Sequence, residues 1–178
     1  MTSAEQSQPI KQLITGGKDS PLLPELRHAI ARARVIEISV AFIKHTGLDL
    51  IFADLCDFLV SERFERLTFL TSDYLCVTDP TALRKLMLLV ERGAEVKVYQ
   101  VNSKYAQSFH LKAYLFTSTE DGQLATADAF IGSSNISRMA LTDGFEWNYR
   151  IHYPNKQDAS SVARITEIRS EFHKLLKH

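Results

Sequence analysis

Two side chains of complementary chemistry, His110 and Lys112, stand one residue apart in the otherwise apolar run 109–116. In an extended strand, residues two apart share a face and lie about 7 Å from each other. An imidazole beside an ammonium suits phosphoryl chemistry, because the imidazole can attack phosphorus and the lysine can offset charge on the non-bridging oxygens. Taken alone, the same tripeptide also reads as two solvated residues on an edge strand. A second element, Ile131-Gly132-Ser133-Ser134-Asn135, leaves a strand in a turn where backbone N–H groups and the Asn135 amide can converge on an anion. The turn equally fits an Asx-type cap on a following helix, with the Ser133 and Ser134 hydroxyls free to orient neighbours. Glu146 is the third element. Alternation over 145–149 puts Glu146 and Asn148 on one strand face and Trp147 and Tyr149 on the other. A carboxylate opposite an imidazole accepts its Nδ1 proton and sets its tautomer. Trp147 and Tyr149 are expected in the core.

These residues need a scaffold, and the periodicity supplies one. Strand-like and helix-like segments alternate through the first hundred residues, which predicts an α/β layered domain. A short strand is expected over 10–14, a turn at Gly16–Gly17 and a helix from Ser20-Pro21, with Ser20 as its cap, to about Ala33. The β-branched run 35–43 reads as a buried central strand. Helical spacing follows over 45–59, a strand over 67–71, a helix over 81–91 stopped by Gly93, and a strand over 95–101. Three such units predict a mixed, largely parallel sheet flanked by helices. From 109 onward, strands over 109–116, 127–131 and 145–153 follow one another without long helices, with 117–126 as a hairpin-like loop. A last helix over 157–176 presents Ile165, Ile168, Phe172 and Leu175 to one sheet face.

In order and spacing, the three chemical elements resemble the phospholipase D superfamily, whose signature is His-x-Lys on a strand followed by Gly-Ser-x-Asn or Gly-Ser-Ser-Asn after the next. The continuation from Gly132 to Asn148 looks like the branch found as a nuclease-like domain at the N-terminus of certain bacterial superfamily 2 helicases and in metal-independent restriction endonucleases. The superfamily's usual Asp five residues after the lysine is Thr117 here, and Glu146 matches the downstream glutamate that replaces it in the endonuclease branch. The resemblance implies a phospholipase D-like fold and a metal-independent phosphodiesterase or nuclease acting on DNA, with no cofactor. It casts His110 as nucleophile, Lys112 and Asn135 as phosphoryl-oxygen ligands, and Glu146 as orienting carboxylate. Only one His-x-Lys is present, so the resemblance also implies a homodimer that brings two copies together. An inactive DNA-docking or dimerisation module of a larger helicase-type protein is the alternative, kept open by Thr117.

Thr15-Gly-Gly-Lys-Asp-Ser20 resembles the pyrophosphate loop of ATP pyrophosphatase-type enzymes, a lesser alternative weakened by Pro21 and Pro24 in the receiving helix. Lys104 and Tyr105, just before the His110 strand, are candidates for contacting a nucleic-acid backbone. His45, at the start of a helix after a buried strand, is a candidate for lining the pocket, whereas His152 and His173 read as surface residues. The 178 residues are 45% hydrophobic, which predicts one domain with a core of its own. Lys and Arg number 21 against 21 Asp and Glu, so nucleic acid would have to be bound by a local patch rather than by bulk charge. Cys56 and Cys76 fit no zinc spacing and are expected as buried thiols in a cytoplasmic protein. Residues 1–9 are polar, and no apolar run approaches the roughly 20 residues of a membrane span.

Overall fold

The computed structural model describes residues 10–101, 107–154 and 159–177. Seven strands form one mixed sheet in the order β1-β7-β6-β5-β2-β3-β4. They are β1 (Leu13–Gly16), β2 (Val35–Val40), β3 (Arg66–Ser72), β4 (Glu95–Tyr99), β5 (Lys112–Glu120), β6 (Gln123–Gly132) and β7 (Phe145–Tyr153). Helices α1 (Leu22–Ile30), α2 (His45–Leu48), α3 (Phe52–Leu59) and α4 (Pro80–Val90) precede β5, α5 (Arg138–Leu141) lies between β6 and β7, and α6 (Ala159–Leu175) comes last. No helix among the described residues is long and apolar enough to cross a membrane.

Parallel pairing is confined to β2–β3 and β3–β4, and the other four pairings are antiparallel. The sheet is therefore mixed as expected but less parallel than three strand–helix units suggest. Parallel neighbours need a helical crossover, which the chain supplies only up to β4. The expected loop at 117–126 shrinks to Asp121-Gly122, both at positive φ, the pattern of a two-residue hairpin turn that lets β5 and β6 run on to their tips.

All six residues of β2 are buried because both sheet faces are covered. Ile36, Ile38 and Val40 pack with Leu26, Leu55, Phe58 and Leu86 of the helices on one side. Glu37 faces α6, whose Ile165 packs on Leu115, Ala127 and Ala129 and whose Phe172 packs on Leu70 and Phe109. The predicted 45–59 helix is two helices, broken at Ile51, whose ψ of 0° leaves the helical range. Ser20 does not cap α1. Its hydroxyl accepts from the Thr15 N–H and from Lys11 Nζ, and Pro21 stands at the cap position. The Thr15–Ser20 loop thus follows an antiparallel edge strand, not the carboxyl end of a central parallel one, which removes the geometric basis of the pyrophosphate-loop reading.

Several side chains lie elsewhere than their sequence pattern indicates. Trp147 is 67% exposed, Tyr149 is also exposed, and Phe145 is 93% exposed. They share the α6 side of the sheet but lie outside the clusters that α6 buries. His152 is largely buried against Asp128, His173 is paired with Glu37, and Cys76 is exposed.

Candidate functional site

β2 lies between β3, parallel to it, and β5, antiparallel to it, so the carboxyl ends of β2 and β3 and the amino end of β5 lie at the same end of the sheet. The register pairs Val40, the last residue of β2, with Lys112, the first of β5. The segments after β2, after β3, before β5 and after β6 therefore meet at one end of the sheet.

His110 is two residues outside β5 rather than on it. Its approach is fixed by Phe109, which is buried against Leu70 and Phe172 with its ring 5.4 Å from that of Tyr99. Lys112 is only 6% exposed, and its Nζ turns back to donate to the His110 carbonyl at 2.8 Å and to Nδ1 at 2.7 Å. The same ammonium lies 3.1 Å from Nε2, and as an ammonium it can only donate in these contacts. The Tyr74 ring meets the His110 ring edge-on, with centroids 5.6 Å apart. Burial lowers the Lys112 pKa, and the nearby Glu146 carboxylate works in the opposite direction.

The opposite wall is built by Gly132–Asn135. A Cβ on Gly132 would sit 2.0 Å from the Trp147 carbonyl oxygen, so only glycine lets β6 and β7 close here. The Ser133 hydroxyl donates to the Glu146 carboxylate and accepts from the Trp147 N–H. Ser134 is fully buried. Its carbonyl accepts from Tyr114, and its hydroxyl donates to the Ala140 carbonyl and accepts from Asn148 Nδ2. Burial, and secondarily Glu146, raises the Tyr114 pKa, keeping the phenol a donor. Asn135 Oδ1 accepts from the Phe42 N–H at 3.1 Å, which ties the segment after β2 to the one after β6 and leaves Nδ2 as its donor group. The Lys44 N–H bonds to the Ile136 carbonyl, and Gly47 packs so closely on Ser137 that a Cβ would lie 2.4 Å from its Cα.

The structure thus brings His110, Lys112, Ser133, Asn135 and Glu146 to one end of the sheet, with three corrections. Glu146 is held by Ser133 and makes no hydrogen bond to His110 among the described residues, because the strand places the carboxylate over β6. Ser134 is a buried tie rather than an open hydroxyl. The cap of α5 is Ser137, which accepts from the Ala140 N–H, and not Asn135. Lys104 and Tyr105 lie outside the described residues. His45 bonds Asp79 through Nδ1 at 3.0 Å. Burial works to raise the Asp79 pKa, but the His45 and Ala82 N–H groups and the His45 ring outweigh it and hold the carboxyl low.

Tyr74 and Asn148 were missed as site residues. Asn148 carried a usable signal, two residues beyond Glu146 on the same face. Tyr74 carried none, since it lies in a loop after β3 where Leu75 and Cys76 adopt positive φ.

Two outcomes follow from this geometry. Gly132→Ala should cost about 1–3 kcal/mol through overpacking against backbone, read as a lowered denaturation midpoint, because the contact cannot be relieved by a rotamer change. Glu146→Gln removes the influence that raises the Lys112 pKa. The ammonium then loses its proton at lower pH, and the alkaline limb of any Lys112-dependent activity should move to lower pH in a pH–rate profile. An unmoved limb would mean that Lys112 does not set it.

No family model matches the sequence, and no curated protein does. Among solved structures, the chain is similar to a polyphosphate kinase from Porphyromonas gingivalis, at 11% identity and a TM-score of 0.49 over 72% of this chain. The matched region covers 18% of that kinase.

Proposed function

We propose that the chain is a phosphoryl-transfer enzyme of the phospholipase D type, a metal-independent phosphodiesterase whose substrate is DNA and whose working form is a homodimer. The observation that carries this reading is the His110–Lys112 pair, with an ammonium 2.7 Å from an imidazole nitrogen, set at one end of the sheet with Asn135 and Glu146. In the first step an imidazole nitrogen of His110 forms a bond to phosphorus as the bond to the leaving oxygen breaks. A proton from the imidazolium of the partner subunit's His110 neutralises that oxygen. Water, deprotonated by the same partner imidazole, then attacks phosphorus and releases His110. Lys112 and the Asn135 Nδ2 group hold the non-bridging oxygens. Exposed Leu111, Ile131 and Phe145, on the α6 side of the sheet beside the segments that carry His110, Gly132 and Glu146, supply apolar surface for a second copy to cover.

A second reading, a DNA-docking module of a larger helicase-type protein, is favoured by one observation. Among the described residues, His110 has no carboxylate partner, since Glu146 bonds Ser133 and position 117 is a buried threonine. The two readings separate in one experiment. Hydrolysis of a bis-aryl phosphate and of single-stranded and duplex DNA is measured in excess EDTA, alongside sedimentation of the protein. The enzyme reading expects EDTA-resistant turnover by a dimer. Cleavage that requires Mg²⁺ would overturn it. DNA binding without cleavage would favour the docking module.

A further inference from the structure

At the other end of the sheet, a cavity of about 380 Å³ opens between the last turn of α1 and strands β5–β7, lined in part by Arg32, Ser118, Thr126, Asp128 and His152. Its floor is a concentration of charge. Asp128 is nearly buried. One of its carboxylate oxygens accepts from Arg150 Nε and contacts His152 Nδ1, both at 2.7 Å, and the other accepts from Arg32 Nη2 at 3.0 Å. Arg150 is itself buried and spends a second donor on Glu25 at 2.8 Å.

The three groups on Asp128 are not equivalent. Arg150 is paired at both ends, as a structural ion pair needs to be. Arg32 is more than half exposed and uses one nitrogen on Asp128, which leaves most of its five donors free. His152 uses Nδ1, and its Nε2 has no partner among the described residues. Free donors of an arginine and a histidine therefore border the cavity, backed by a carboxylate that fixes both and by the hydroxyl-bearing residues Ser118 and Thr126. The charged groups here are Arg32, Arg150 and His152 against Asp128 and Glu25, so protonation of His152 leaves the set with one positive charge in excess.

We propose that this cavity is a second site, separate from the His110 end, that binds the phosphate or sulfate group of a small molecule through Arg32 and His152. The Asp128 contact holds the His152 ring so that Nε2 is the nitrogen offered, and Nε2 donates to the anion when it carries a proton. Cavities of this size suit a small ligand rather than a polymer, and a planar guanidinium matches a tetrahedral oxyanion with two parallel hydrogen bonds. Binding and proton uptake by His152 are linked, so affinity for an anion whose own charge does not change should fall as pH rises.

The test uses the full chain and inorganic sulfate, which does not titrate in the working range. Sulfate should saturably shift the backbone amide resonances of Ser118, Thr126 and Asp128, which remain readable when His152 is replaced, with affinity falling as pH rises from about 5.5 to 8. Arg32→Ala leaves the Arg150–Asp128 pair in place and should weaken binding at least about tenfold. His152→Gln should abolish the pH dependence. His110→Ala should change neither effect. The proposal is overturned by any one of three results: no saturable response at pH 5.5, an unaltered response in Arg32→Ala, or a response lost in His110→Ala. Inorganic phosphate and a single-stranded oligonucleotide are run beside sulfate. A response to the oligonucleotide alone would overturn the assignment to a small ligand, and a response to phosphate would support it.

Discussion

If the proposed mechanism holds, replacing His110 by alanine is expected to bring EDTA-resistant phosphodiester cleavage down to the uncatalysed background, because the change removes the proposed nucleophile. Loss of orientation or proton transfer alone typically costs about 10²–10⁴-fold, so a residual rate in that range would identify His110 as an acid–base residue and not the nucleophile. The variant should remain folded. His110 is exposed, whereas the neighbour that anchors the segment, Phe109, is untouched. Mixing provides a sharper reading. If one histidine attacks and its symmetry mate protonates, an equal mixture of wild-type and variant subunits at exchange equilibrium contains only about a quarter fully wild-type dimers. Activity should follow that fraction. Activity in proportion to wild-type subunits would show that each site works alone. Quenching the wild type during turnover should trap the phosphoryl-bearing fragment of the substrate on the protein in an acid-labile, alkali-stable linkage that His110→Ala lacks.

The largest effect on stability is expected at Glu37, in the fully buried strand β2. It is 1% exposed, and three groups converge on its carboxylate: Arg66 Nη2 at 2.5 Å, Arg169 Nε at 3.1 Å and His173 Nε2 at 2.6 Å. The last two belong to α6, so this carboxylate joins the helix to the sheet. Glu37→Ala deletes the acceptor and leaves cations facing a buried hole. Deleting one partner of a fully buried pair costs about 3–5 kcal/mol, and the partial exposure of Arg66 and His173 lets water recover some of that. A loss of about 3 kcal/mol is expected, or roughly 6–12 °C in Tm for a domain of this size. Arg169→Ala, which leaves Arg66 and His173 on the carboxylate, should lose much less. Equal losses would mean that the helix is held by its apolar contacts alone.

Local pattern and long-range placement differ in how far the sequence reveals them. The extents of β7 and α4 could be read from periodicity and from turn residues, because backbone propensity and strand alternation decide them, whereas the grouping of His110, Lys112 and Asn135 into one site was implied only by the family resemblance of their motifs. Alternation also separates Glu146 from Trp147 correctly, but it assigns residues to faces without saying which face is covered or how far. Trp147 and Tyr149 are exposed because they lie outside the reach of α6, a length relation between elements distant in sequence. The Glu146–Ser133 bond depends on the register of β6 against β7, and the pairing of His152 with Asp128 on the same register. No short window contains either. Tyr74 joins the site only because β3 ends beside β2, a fact of sheet order.

That order also bears on synthesis. The unit β2–β3–β4 is closed by local crossovers and can pair as soon as it leaves the ribosome. β1, made before it, has only β7 as a partner and must wait until almost the whole chain has emerged. A nascent chain stalled after β6 would already hold the His110 strand against β2, yet would expose the far edge of β6 and lack the Glu146 strand. Long-range pairings of this kind slow folding and leave strand edges open to other chains. The interval between the emergence of β6 and the arrival of β7 is therefore the period in which the open edge of β6 is most available to strands of other chains.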